Sequence, residues 1–342
     1  MTNITRFGMK SKPSNIEYGG FGRQIFIQKE RRNSMLNNAT AASVKKSKVG
    51  SVTPKRFWNP RLLILLIPPI IWLSVFLFVP YVTLFINSFW KVDFGTIVHD
   101  FSFSNYTKFF TNELYYGTLL KTLEIAFWVT LFSVFLSYPL AYFINYKIQK
   151  NKQLMYTLVI IPLWVSYLVR AYAWKIVLGQ DGILNSFLLS IGVIDKPLEI
   201  FLYSPYAVIL ALTHIYTPWV LMSIYTSLEH IPQNLIEASK DLGAGRFQTF
   251  YKVVLPLSMP GVIAGATFAF VLTMGDFLAP QLLGGTSSMM ISNVVYSLFG
   301  VANNWPLGSA IGIITLIIVI GILEMAHRLE KKTASFEGST KK

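Results

Sequence analysis

Asp276, Arg170 and Glu324 are charged side chains set among apolar residues, and any chemistry in this chain begins with them. Asp276 follows Gly275 in the stretch TMGDFLAPQLLGG, Arg170 sits in PLWVSYLVRAYAW, and Glu324 lies near the end of the last apolar run. An ionised side chain at mid-bilayer costs about 2.5–3.5 kcal/mol on insertion scales, so each requires a partner or a task. Asp276 can face a pathway that handles a cation, or hydrogen-bond to a neighbouring helix. Arg170 reads as an anchor between helices or at the interface, because it would repel a cationic solute; a pair with Asp276 would make both residues structural. Glu324 is expected to snorkel or to pair with Arg328, one turn on. Trp164, Tyr167, Tyr172 and Trp219 are the aromatic residues placed to offer π faces to an ammonium group. His214 reads as a packed, hydrogen-bonded histidine.

Other chemistries lack their residues. With no cysteine in the chain, disulfides, thiolate zinc sites and cysteine nucleophiles are excluded. His99, His214, His230 and His327 have no ligand spacing, so no metal site or cofactor is expected. A G-x-x-x-x-G-K-[ST] loop is absent, and the chain has no such device for ATP hydrolysis. Intramembrane aspartyl proteases use G-x-G-D with a second intramembrane Asp; here Thr273 occupies the first position and no other span supplies a second Asp.

The elements that position these residues are membrane spans. Apolar side chains make up 53% of the 342 residues and charged ones 13%, with a mean hydropathy of +0.49, too apolar for a soluble domain of this length. Six runs, Leu62 to Trp90, Leu119 to Tyr146, Leu154 to Leu178, Tyr206 to Leu228, Leu257 to Leu283 and Gly308 to His327, are each long enough to cross ~30 Å of hydrocarbon as a helix. Pro162, Pro218 and Pro280 are among the prolines expected to kink them. The expected organisation is a basic, disordered tail over 1–61, a six-span domain over 62–328 and a short C-terminal tail over 329–342. The first tail holds thirteen Lys and Arg against Glu17 and Glu30. It has no apolar core of a signal peptide and no aromatic interleaving for nucleic acid, and it fits attraction to anionic lipid. Lys147, Lys150 and Lys152 follow the second span, Lys240, Arg246 and Lys252 the fourth, and Arg328, Lys331 and Lys332 the sixth, whereas the opposite loops, with Asp93, Asp100, Asp181, Asp195 and Glu199, are slightly acidic. The positive-inside rule therefore predicts that both termini are cytoplasmic.

Between the fourth and fifth runs lies IPQNLIEASKDLGAGRFQTFYKVVLPLSMP, Ile231 to Pro260. It reads as two short helices joined at Gly243, with Pro232 at the first helical position. Phe247, Phe250, Tyr251 and Val254 recur at i, i+3, i+4 and i+7 and form an apolar stripe for a partner groove. Glu237, Ala238, Ser239, Gly243, Val253, Leu255 and Pro256 resemble the E-A-A…G…I-x-L-P loop of ABC importer permeases, with Ser in place of the second Ala and Val in place of Ile. The resemblance implies an all-α integral membrane protein of the type I importer, MetI-like fold, whose coupling helix docks on a cytoplasmic ATPase. It assigns Glu237, Ala238, Ser239, Asp241, Leu242, Gly243, Phe247, Phe250, Leu255 and Pro256 to that contact. PLWVSYLVRAYAW, LLGGTSSMMISNVV and NWPLGSA further resemble permeases of spermidine/putrescine importers, with Asp276, Trp164, Tyr167, Tyr172 and Trp219 as pathway candidates. The partners implied are an ATPase dimer, a second homologous permease forming a heterodimer, an external solute-binding protein and the lipid bilayer of a bacterial inner membrane. A permease for another small solute stays open. A self-contained secondary transporter would explain six spans but has no use for the Ile231–Pro260 loop, and no inverted repeat is evident.

Overall fold

The computed structural model describes residues 60–93, 95–148, 150–198 and 201–339. The basic N-terminal tail and Glu199 therefore lie outside the described residues. By contact the chain divides after Leu73, within the first helix, α1 (Pro60–Asn87). A hairpin of β1 (Lys91–Asp93) and β2 (Thr96–Val98) follows, then a short helix α2 (Ser104–Thr111). The long helices are α3 (Glu113–Tyr146), α7 (Pro205–Glu229), α9 (Arg246–Gly275) and α11 (Trp305–Ser339). Between them lie α4 (Lys152–Ile160), α5 (Tyr167–Leu178), α6 (Ile183–Ser190), α8 (Gln233–Asp241) and α10 (Ile291–Phe299).

Helices α3, α7 and α9 form the centre. Lipid offers no hydrophobic drive for helix association, so small residues and interhelical hydrogen bonds carry the contact. Gly261 and Gly265, a G-x-x-x-G pair on α9, press against α7: a Cβ on Gly261 would sit 2.4 Å from Ser227 Cβ, and one on Gly265 3.2 Å from Val220 O. On the other side of α7, Ser133 and Ser137 of α3 donate to the carbonyls of Thr213 and Thr217 at 3.4 and 3.0 Å. Tyr146, the last residue of α3, donates to Leu228 O near the end of α7.

That register fixes the topology. All three contacts step forward together along both chains, so α3 and α7 run parallel, and residues 147–204 must return across the membrane. The return is not the straight helix expected over Leu154 to Leu178. It is a bent path in which the segments Lys152–Trp164 and Tyr167–Ser190 meet at 90°. Pro162 lies in a 3-10 turn, and Val165 and Ser166 are extended, with ψ of 136° and 138°; proline's missing N–H weakens the helix at this point. With this pair counted as one crossing, the five long apolar helices become six spans among the described residues.

Two other expectations change. The fifth span stops at Gly275 rather than Leu283, because Pro280 cannot donate to the carbonyl of Asp276 four residues earlier and its ring would collide with it. The span also begins earlier than Leu257: the second half of the Ile231–Pro260 loop is not a separate short helix but the first turns of α9. A π-type turn over Phe250–Val254 precedes Pro256 and absorbs the hydrogen bond that the proline lacks. The last helix runs on as far as Ser339.

Candidate functional site

The break at Asp276 builds the intramembrane site. Asp276 ends α9 with an extended backbone and caps the short helical segment that follows, its Oδ1 accepting from Leu278 N and Ala279 N at 3.0 and 3.1 Å. Its Oδ2 accepts from Tyr216 Oη at 2.7 Å and from Tyr167 Oη. The carbonyl freed by Pro280 is taken by Ser292 Oγ at 2.5 Å, and Asn293 Nδ2 donates to Phe277 O at 2.7 Å. The first turn of α10 thus props the break open, and α10 is itself tied to α3 through Ile291 N and Thr122 Oγ1. Buried to 7% exposure, Asp276 has all four acceptor positions of its carboxylate engaged.

Around it is an open cavity of about 440 Å³ whose wall includes Tyr167, Arg170, Tyr216, Trp219, Phe268 and Asp276. Of the five pathway candidates read from sequence, Asp276, Tyr167 and Trp219 meet here. Trp164 and Tyr172 are exposed and do not line it. Sequence reasoning missed Tyr216 and Phe268. Tyr216 lies three residues before Trp219 on α7, and that same-face spacing was the available signal. Arg170 makes no salt bridge with Asp276; its Nη1 donates to Ile215 O at 3.3 Å, joining α5 to α7, and its guanidinium lies 6.0 Å from the Tyr167 ring centroid. His214 accepts from Trp174 Nε1 at 3.2 Å, and Glu324 pairs with Arg328 at 2.8 Å.

The second site is the loop from Ile231 to Pro260. Gly243 has φ of +82°, the left-handed turn expected of it. Pro232, expected at the first helical position, is instead the N-cap of α8, whose first helical residue is Gln233. Ser239 Oγ lies 3.0 Å from Thr249 Oγ1, so the serine that replaces the second alanine ties α8 to the base of α9. The anticipated apolar stripe is divided between two directions. Val254 is buried and Phe250 packs on Tyr138 and Tyr142, whereas Phe247 and Leu242 are 75% and 89% exposed, beside exposed Glu237, Ala238, Asp241 and Pro256. Leu255 is half-buried.

A six-span α-helical core, a helix–glycine–helix loop on the face where α3 and α7 end, and a broken span at a capped aspartate define a membrane transport subunit. Residues 133–334 match the family described as "Binding-protein-dependent transport system inner membrane component", and the chain belongs to that family. It is 38% identical over 271 residues to the spermidine/putrescine transport system permease protein PotB of Escherichia coli (strain K12), covering 78% of this chain and 98% of that one. The inner membrane ABC transporter permease protein YdcU of the same organism is 36% identical over 291 residues, covering 80% and 92%. Among solved structures, a bacterial ABC transporter involved in the import of the acidic polysaccharide alginate aligns with a TM-score of 0.65 at 21% identity, over 79% of this chain and 95% of that one, a likeness of fold. This chain is thus an ABC importer permease, a transport subunit and not an enzyme.

Proposed function

We propose that this permease forms half of the inner-membrane pathway for a small polycation of the spermidine/putrescine class. The observation that carries the reading is the cavity at Asp276, where an intramembrane carboxylate shares the wall with four aromatic residues, Tyr167, Tyr216, Trp219 and Phe268. Because its acceptor positions are filled, Asp276 supplies negative potential and fixes the two tyrosines, while the aromatic faces receive the ammonium group. The permeases named for spermidine and putrescine, 38% identical to this chain, favour the same solute class. Movement is driven from the Ile231–Pro260 loop. Exposed Leu242 and Phe247 are apolar anchors for an ATPase groove, and Glu237 is a polar contact beside them. ATP binding closes two ATPase subunits, the docked loop follows, and the cavity opens to an external binding protein; hydrolysis resets it. A second, non-identical permease completes the pathway. The basic residues that follow α3, α7 and α11 in the sequence support a cytoplasmic loop and cytoplasmic termini.

Arg170 in the same cavity wall favours a second reading, a permease for an anionic or neutral solute. Uptake of labelled putrescine, spermidine and a small anion by the complex reconstituted with its binding protein decides between them. Transport of the amines, lost in Glu237→Lys with membrane insertion intact, is the expected result. Transport of the anion alone overturns the polyamine reading, and full uptake in Glu237→Lys overturns the coupling role.

A further inference from the structure

A second cavity, of about 220 Å³, lies between the end of α3, the coupling helix α8 and the first turn of α9. Three cations from three different elements form part of its wall: Lys147, Lys240 and Arg246. Tyr142, Tyr146 and Thr249 add hydroxyls, and no acidic side chain lines it. Among the described residues none of the three cations has a salt-bridge partner. The three cations are exposed at its rim, and like charges converging on one small cavity give it a positive potential that attracts an anion.

On α8, Gln233, Ile236 and Lys240, spaced i, i+3 and i+7, line the cavity; Glu237, four residues after Gln233 and three before Lys240, borders that face, so the cavity and the ATPase contact are neighbours on one helix. The depth is that of lipid headgroups: Tyr146 is the last residue of the α3 span and Lys147 the first beyond it. Tyrosine and lysine at a span end mark the membrane–water boundary, and basic pockets between spans at that level hold lipid phosphates.

We propose that this cavity is a phosphate-binding site, filled by the headgroup of an anionic phospholipid and joining the coupling helix to the membrane surface. Its placement in the cytoplasmic leaflet rests on the orientation given above; the binding chemistry does not. A phosphodiester there accepts from Lys147, Lys240 and Arg246 together, so that α3, α8 and α9 are held by a ligand in addition to the Ser239–Thr249 contact.

Native mass spectrometry of the full-length chain, purified with its partner subunits and titrated with phosphatidylglycerol or phosphatidylcholine, tests the site without using transport. Retention of phosphatidylglycerol but not phosphatidylcholine is expected, about a hundredfold weaker in Lys147→Gln/Lys240→Gln/Arg246→Gln. A Lys45→Gln/Lys46→Gln/Lys48→Gln variant of the N-terminal tail should retain it. Inorganic phosphate forms the second arm. If phosphate displaces the lipid, or binds where the lipid does not, the cavity recognises phosphate itself; a lipid that phosphate leaves in place identifies the headgroup as the ligand. Equal lipid retention by the triple variant and the unaltered chain overturns the proposal, as does equal retention of both lipids. Protection of Lys240 from acylation by the ATPase but not by either phosphate compound also overturns it and assigns the cavity to the partner. Because uptake is not the readout, loss of this site leaves the importer reading standing, and the reverse holds.

Discussion

Asp276 shows how one side chain serves both structure and charge. Its Oδ1 begins the helical segment after the break, and its Oδ2 holds two phenols from two other helices. Asparagine caps a helix start about as well as aspartate, so Asp276→Asn retains the backbone contacts while removing the negative charge. A unit charge about 8 Å from a bound ammonium group, at an effective dielectric of about 20, contributes roughly 2 kcal/mol. Asp276→Asn should therefore lower polyamine uptake on the order of tenfold or more, with thermal stability in detergent nearly unchanged. Asp276→Ala loses the cap and leaves two buried hydroxyls without an acceptor, and should destabilise by about 2–4 kcal/mol. Unchanged uptake in the asparagine variant would make Asp276 a structural residue alone. The carboxylate was conspicuous in the sequence because it stood alone in an apolar run. Its partners were not, since Tyr216 and Tyr167 are 60 and 109 residues away and resemble many other membrane tyrosines.

At the scale of elements, the apolar runs located every span, because a backbone in lipid must satisfy its own hydrogen bonds and has little choice but helix. The breaks were harder to read. Pro139 and Pro218 lie inside α3 and α7 without ending them, whereas Pro162 and Pro280 accompany breaks. What separates Pro280 is the residue four positions before it: a capping aspartate preceded by glycine, where the others have Phe135, Leu158 and His214. The coupling loop was legible to the residue at Gly243, whose positive φ demands glycine. The fusion of its second half to α9 was not, because Pro256 and Pro260 made a continuous helix unexpected. The G-x-x-x-G contact yields the prediction at this scale. A methyl group on Gly261 falls 2.6 Å from Ser223 O as well as against Ser227, so α7 and α9 must separate. Gly261→Ala should cost about 1–3 kcal/mol by overpacking, measured as a lower unfolding temperature of the purified subunit. An unchanged temperature would mean that the two helices are not held at this distance.

For the molecule as a whole, the relation between α3 and α7 governs everything else. Parallel spans joined by 147–204 require an odd number of crossings between them, and the bent α4–α6 path supplies one. Leu84 of α1 lies close to Gly312, near the start of α11. The chain therefore leaves α1 at Asn87 on the face where α3, α7 and α11 begin, and Lys147 and Glu237 belong to the opposite face. A re-entrant α4–α6 hairpin would instead put Lys147 and Glu237 on opposite sides of the membrane. The chain has no cysteine, so single cysteines report without background. Thr96→Cys and Val301→Cys, both at exposed positions, should react with an impermeant maleimide in intact cells. Lys147→Cys and Glu237→Cys should both react only after the membrane is opened. Their labelling as a pair makes the bent helix a true crossing and sets the basic cavity and the coupling loop on one surface, where an ATPase and a phospholipid headgroup engage α8 side by side. Labelling of Lys147→Cys from outside with Glu237→Cys still protected would reverse α3 and undo that arrangement.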